Sequence, residues 1–315
     1  MNKILCVIAV VFFLPPNFAF GSFKRVPFFT ESDFEEMLTM LEKQWYYPLD
    51  RKKALQCAAP YLKNKNLHAF SDLTPLISSC FKEDPHMMIT PQAMVPTDLV
   101  PIRISAVPSN IENVSFGSIA IENFIPHQID IHERMSYVLK RMHDNHVSDF
   151  LIDLAGNGGG FTNGAAAFLA YFAPAPETLF EVRNKFGVAA EPEDTYAVSE
   201  KGIFAHACTT VLVNKDTASA AEIIAYNLQL WGAYIVGEPT FKKGTGQILR
   251  NLQNGISIRF TYGKIFFPNN TTINKRGVIP DFLTNDPHTA REEAMKYLRK
   301  CHVKRERLPE LSTHK

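Results

Sequence analysis

Blocks of like charge, low-complexity tracts and internal repeats are all missing from this 315-residue chain. Their absence sets aside solvated charged tails, solenoids and propellers. The 33 Lys and Arg nearly balance the 32 Asp and Glu, leaving a formal net charge of +1. That gives no electrostatic bias toward nucleic acid or an anionic membrane surface. Beyond the first 22 residues no apolar run is long enough to span a bilayer, so no retained membrane span is expected. Cysteine is scarce, at five, and none stands in a CxxC or Cys/His spacing, which argues against zinc and thiol redox chemistry. Neither a P-loop (G-x-x-x-x-G-K-[ST]) nor a G-x-S-x-G elbow occurs, so nucleotide binding and the hydrolase fold built on that elbow are disfavoured. No cofactor and no metal are expected.

What is present reads as an exported globular protein. Apolar residues make up 46% and charged residues 21%, ordinary values for a folded domain. Met1-Asn2-Lys3 gives a short basic start, "ILCVIAVVFFL" an apolar segment, and Ala19-Phe20-Gly21 the small residues of a cleavage site before Ser22. This is the pattern of a secretory signal peptide and predicts a periplasmic or secreted mature chain. An oxidising compartment allows disulfides among Cys57, Cys80, Cys208 and Cys301. Four cysteines permit three connectivities, and the sequence does not choose among them; separation along the chain favours Cys57–Cys80 with Cys208–Cys301.

The periodicities divide the chain. In 31–82, Phe34, Met37, Leu38, Leu41 and Trp45 fall at helical spacing, and further helical segments continue around Pro60 and Pro75. The proline-rich stretch 83–101 reads as a connector. Strands at 116–124, 149–155, 208–214 and 233–239 then alternate with helices, the pattern of βαβ crossovers and a largely parallel sheet. "GISIRFTYGKIFFP" reads as a β-hairpin broken at Gly263, and 289–300 as a terminal helix. The expected organisation is a signal peptide (1–21), a helical subdomain (22–92), an α/β core (93–302) and a flexible tail (303–315).

Three stretches could carry chemistry. In "DLAGNGGG" (153–160) glycines surround Asn157 between a strand and a helix, where backbone N–H groups can hold an oxyanion, although a plain tight turn would need the same glycines. In "GEPTFKKGTGQ" (237–247) two lysines sit in a glycine-flanked loop after a strand. A surface position is the ordinary reading, but a buried lysine can serve as general base once its pKa is depressed. In "NKDTASAAEIIAYNLQ" (214–229) Ser219 joins a loop to a helix. Ser-x-x-Glu is the signature of a capping box, while a serine at a strand–loop–helix junction can also be a nucleophile.

Taken together, these strings resemble the active-site region of the carboxy-terminal processing peptidases, or tail-specific proteases. In that family a strand ending in V-N leads to A-S-A-x-E-I and then to G-E-x-T-F-G-K-G-x-x-Q. "GSIAIENF", "DPHMMITP" and the segment 255–282 extend the resemblance over residues 31 to 300. It implies a crotonase/ClpP-like ββα core with a parallel-rich sheet, preceded by the helical subdomain. It also implies a Ser-Lys peptidase acting on protein or peptide substrates, with Ser219 as nucleophile, Lys243 as general base and Gln247 orienting it. The N–H groups of Gly159 and Ala220 would be the oxyanion donors. His86 stands where tricorn-like relatives place a histidine base and is the alternative. Two departures stand out: D-L-R becomes Asp153-Leu154-Ala155, and G-K-G becomes Lys242-Lys243-Gly244, whose extra cation is expected to depress the Lys243 pKa. Only about 25 residues separate "DPHMMITP" from "GSIAIENF", where most members insert a PDZ domain, so the usual module for recognising a substrate tail is not expected. A non-catalytic binder of apolar ligands or peptides on the same scaffold is the competing reading. Export argues against acyl-thioester substrates.

Overall fold

The structure, a computed structural model, describes residues 29–63, 70–91, 104–111, 114–124 and 131–307. The expected signal peptide lies outside these residues. Thr30 opens helix α1 (Glu31–Gln44): its hydroxyl accepts the Asp33 N–H while the Asp33 carboxylate accepts the Thr30 N–H. The apolar stripe Phe34, Met37, Leu38, Leu41 is fully buried, and Trp45 ends the helix. Helices α2 (Arg51–Leu62) and α3 (Phe70–Cys80) follow, keeping Pro60 and Pro75 within them, and the Cys57–Cys80 disulfide joins the two.

The expected connector at 83–101 instead contains a strand, β1 (Met88–Pro91), because its backbone finds an antiparallel partner far along the chain. Strands β2 (Ile104–Ile111) and β3 (Val114–Ile121) form a hairpin. Helix α4 (Ile131–Asp144), β4 (Asp149–Asp153), α5 (Thr162–Leu169), β5 (Glu177–Arg183) and β6 (Thr195–Val198) come next. Then follow β7 (Cys208–Val213), α6 (Ala220–Leu230), β8 (Tyr234–Gly237), β9 (Thr245–Asn251), β10 (Ile256–Phe266), β11 (Phe282–Leu283) and α7 (Pro287–Arg307). The terminal helix thus runs past residue 303, where a tail was expected.

Two sheets result. One has the order β11-β8-β7-β4-β3-β2, parallel throughout except for the β3–β2 hairpin. Every residue of β7 is buried, as a central parallel strand covered on both faces requires. One face packs on α4, α5 and α6 and the other on α7 through Ala290, Ala294, Met295 and Leu298. The Cys208–Cys301 disulfide pins α7 to β7, so both bonds follow the pairing that chain separation favours.

The second sheet, β1-β10-β5-β6 with β9 on β10, is antiparallel throughout and was not anticipated from the sequence. The expected hairpin broken at Gly263 is one continuous strand, β10, with β9 as its hairpin partner and an irregularity between Thr261 and Gly263. A Cβ on Gly263 would lie 2.6 Å from Val182 Cγ1 and 2.9 Å from Arg183 O, so glycine marks a close approach of β5 rather than a turn. The N-terminal helices share one apolar cluster with Ile256, Ile258 and Phe260 of β10, which binds them to this sheet.

Candidate active site

Ser219 stands between β7 and α6, and the turn that carries it is laced to the glycine turn after β4. Asn214 Oδ1 accepts the Gly156 N–H at 2.9 Å, Ala218 N–H donates to Asn157 O at 2.9 Å, and Thr217 Oγ1 donates to Leu154 O at 2.8 Å. The Thr217 hydroxyl is therefore committed to the residue that follows β4. Ser219 has φ +56° and ψ −118° and is 9% exposed. An N-cap serine ordinarily sits in the β region; a non-glycine residue held in a sparsely populated region is strained, and such strain clusters at functional sites.

Gly159, at φ +91°, abuts this turn: a Cβ there would lie 2.5 Å from Ala218 O, 2.7 Å from Ser219 Cβ and 2.9 Å from Ala220 N. The two turns can approach this closely only if residue 159 lacks a side chain. Ala220 opens α6, so its N–H belongs to the first-turn donors that have no acceptor within the helix. The Gly159 N–H, expected to face an oxyanion, donates instead to Asn157 Oδ1 at 2.8 Å. Asn157 is fully buried and must satisfy its amide; its Nδ2 donates to Ile121 O at 2.7 Å and its Oδ1 takes the Gly159 proton. Glycine at both 158 and 159 widens the range of backbone conformations open to that peptide.

Glu222 organises the other side. Read from the sequence it is only the capping-box partner of Ser219; in the structure it is fully buried and accepts four hydrogen bonds. Its Oε2 accepts Ser219 N–H and Lys243 N–H, each at 2.9 Å, and its Oε1 accepts Thr240 Oγ1–H at 2.5 Å and Lys242 N–H at 2.8 Å. The backbones of Ser219 and Lys243 thus share one oxygen, which holds their nitrogens within twice that distance of each other. The apolar surroundings of Glu222 hid this role; the signal was a glutamate inside an otherwise apolar helix segment, "AAEIIAYNL".

The Lys243 ammonium lies in a half-buried position. Burial first, then repulsion from the Arg259 guanidinium, pushes its pKa below the ordinary lysine value, while Glu222 and Asp84 act in the opposite direction. The repelling cation is thus Arg259 and not Lys242, as expected from the sequence: Lys242 has φ +76° and its side chain is exposed. His86 is nearby and half-buried; its pKa is lowered by burial, by Lys243 and by Arg259, against the attraction of Asp84. Asp84 itself is buried and accepts Trp45 Nε1–H, Thr261 N–H and Thr261 Oγ1–H, and its Oδ1 takes the His86 N–H at 3.1 Å.

Among the described residues no hydrogen bond joins Gln247 to Lys243. Gln247 lies opposite Thr261 in the β9–β10 pairing, and its Nε2 donates to Thr245 Oγ1 at 2.9 Å and more weakly to Thr261 Oγ1 at 3.4 Å. Strand register, not the spacing of four residues, sets where its amide points. Nor does a hydrogen bond join the Ser219 hydroxyl to Lys243 Nζ among the described residues. The structure therefore brings Ser219, Ala220, Gly159, Lys243 and His86 to one locality, and Gln247 adjoins it through Thr261, whose hydroxyl donates to Asp84 Oδ1 at 2.9 Å. No group of His, Cys, Asp and Glu able to hold a metal occurs among the described residues.

The model of peptidase family S41 matches residues 115–284, more than half of the chain. The chain belongs to peptidase family S41. It is 32% identical over 197 residues to carboxyl-terminal-processing peptidase 1, chloroplastic, of Arabidopsis thaliana, a match covering 61% of this chain and 39% of that protein. It is 28% identical over 178 residues to carboxy-terminal processing protease CtpB of Bacillus subtilis, covering 56% and 35%. The chain thus matches under two-fifths of the length of these relatives. Among solved structures, a lipoprotein from Streptococcus agalactiae shares the fold at a TM-score of 0.65 and 18% identity, covering 92% of this chain and 99% of that one. The S41 match spans Ser219, Lys243 and Gly159, whereas His86 lies before it.

Proposed function

We propose that the protein is an exported serine peptidase of Ser-Lys type that cleaves polypeptides. The observation that carries this reading is the strained Ser219, whose N–H shares Glu222 Oε2 with the N–H of Lys243, a lysine with a depressed pKa. Unprotonated Lys243 Nζ takes the Ser219 Oγ proton as Oγ adds to the substrate carbonyl. The Ala220 N–H, joined by the Gly159 N–H once its peptide turns from Asn157, stabilises the oxyanion; one such donor contributes about 3–4 kcal/mol where it has been removed. Collapse breaks the C–N bond, the departing amine takes the proton from Lys243, and water activated by the same lysine releases the acyl group. His86, whose own pKa is lowered chiefly by burial, is the alternative base. Two disulfides fit export to an oxidising compartment.

The test is covalent labelling with a fluorophosphonate, together with hydrolysis of an unfolded protein, by wild type, Ser219→Ala, Lys243→Ala and His86→Ala. Labelling and hydrolysis are expected only where Ser219 is present. Labelling that survives Ser219→Ala sinks the nucleophile assignment, and loss in His86→Ala but not Lys243→Ala moves the base to His86. A second reading, a non-catalytic binder of apolar ligands or peptides, is favoured by the internal engagement of the Gly159 N–H and the unbonded dyad. Wild type that neither labels nor cleaves, yet binds such ligands, supports it.

A further inference from the structure

Lys242 has no part in the chemistry described above, yet its conformation is costly. At φ +76° it occupies the left-handed region that glycine enters freely and a side chain does not. The fixed backbone explains the conformation: Lys242 N–H donates to Glu222 Oε1 at 2.8 Å and its carbonyl accepts the Lys275 N–H at 3.0 Å. It does not explain the lysine, because glycine would make both bonds without strain. The facing turn repeats the anomaly: Lys275 has φ +63°, and Arg276 follows it. Gly277, at φ +72°, lies under the Lys242 stem, where a Cβ would come within 3.0 Å of Lys242 Cγ. Lys242, Lys275 and Arg276 are all exposed, and among the described residues none forms an ion pair with a carboxylate. The loop that presents them is tied to the nucleophile, since Phe241 N–H donates to Thr217 O at 2.9 Å.

We propose that Lys242, Lys275 and Arg276 form a cationic rim beside Ser219 that binds an acidic stretch of the polypeptide substrate. The inference rests on the peptidase reading and adds a substrate class to it. Two interlocked turns, each with a lysine in a glycine-like conformation, carry three exposed cations on chain that is bonded to the serine turn through Phe241. An extended chain lying across Ser219 and carrying Asp or Glu next to the scissile bond would pair with them, and complementary charge steers and selects such chains.

The experiment uses two peptides that differ only in Glu against Gln on either side of an apolar cleavage position. Binding to the Ser219→Ala protein is read by fluorescence anisotropy, and hydrolysis by wild type is read in parallel. The acidic peptide is expected to bind about tenfold more tightly at low salt, from a few exposed pairs acting together. The advantage should shrink at about 500 mM salt, where the Debye length falls to about 4 Å. Adding Lys242→Gly should remove much of that preference while the melting temperature stays the same or rises, because glycine relieves the strain. Equal binding of the two peptides, or an undiminished preference in Lys242→Gly, overturns the rim. Absence of Ser219-dependent hydrolysis overturns the peptidase reading instead, and the binding measurement still decides the rim.

Discussion

Ser219 rises from the end of β7, in the sheet whose pairings are parallel but for one hairpin, whereas Lys243 and His86 border the sheet whose pairings are all antiparallel. The two halves are built differently. Around Ser219 the chain is positioned by its own neighbours: a buried strand, a turn laced to the adjacent βα turn, and an almost wholly buried helix. Lys243 is carried to the site by a loop whose Thr240, Lys242 and Lys243 hang from one carboxylate on α6 and whose Phe241 N–H donates to Thr217 O. His86 arrives by a third route, through Asp84, Trp45 and Thr261. Ser219, the proposed nucleophile, is thus a local product of the parallel sheet, and Lys243, the proposed base, is held by tertiary hydrogen bonds that a single substitution can weaken.

The largest effect should come from deleting the base. Lys243→Ala is expected to lower kcat/KM by about 10³–10⁴-fold, against a few-fold loss for His86→Ala, with the melting temperature of each close to wild type. Comparable losses in both would show that the antiparallel sheet supplies two acting groups. The bridge comes next. Glu222→Gln replaces one accepting oxygen by an amide that faces two donors, leaving buried N–H or O–H groups unpaired at about 1–3 kcal/mol each. A loss of about 3 kcal/mol in denaturant unfolding and about 100-fold in kcat is expected, with Ser219 labelling slowed to the same degree. Unaltered labelling in a destabilised Glu222→Gln would mean that the serine turn stands without the bridge. Within the parallel half, Gly159→Ala puts a Cβ 2.5 Å from Ala218 O at φ +91°. It should cost about 2 kcal/mol through strain and forced movement, and lose labelling while β7 and α6 stay folded.

The same division explains what could be read from the sequence. The strands at 149–155, 208–214 and 233–239 and their helices announced the parallel sheet, because a covered strand is a continuous apolar run bounded by turns. Ser219 and the glycine turn were legible with it, being adjacent to those runs. The antiparallel sheet was hidden: β1 is four residues inside a proline-rich stretch, and β5, β6 and β9 find their partners only in the folded chain. Gln247 shows the consequence. The resemblance implies that it orients Lys243, and only the folded β9–β10 pairing shows that its amide also donates to Thr245 and Thr261. Glu222 escaped for the opposite reason: a local role as cap partner was sufficient to explain it, and its three bonds to the 240–243 loop exist only in three dimensions.

Arg259 offers a finer probe of the antiparallel half, because it tunes the base without replacing it. Its charge helps lower the Lys243 pKa, second to burial. Arg259→Gln removes that repulsion, so the pKa should rise toward, but not reach, the ordinary lysine value. If Lys243 is the base, activity increases as pH climbs through its pKa, and the substitution moves this limb to higher pH. At neutral pH the unprotonated fraction then falls, because below the pKa that fraction drops about tenfold for each pH unit that separates the two. The resulting loss of several-fold should disappear in alkaline buffer. Stability carries the matching sign. The unfolded chain binds a proton that folded Lys243 has released between its depressed pKa and the ordinary value, so stability rises with pH across that window, and Arg259→Gln should narrow it. His86 predicts a different record: its pKa is also lowered by Arg259, but from the ordinary histidine value, so the limb would lie on the acidic side and move up from there. An activity limb that stays fixed in Arg259→Gln would break the electrostatic link between the guanidinium and either base.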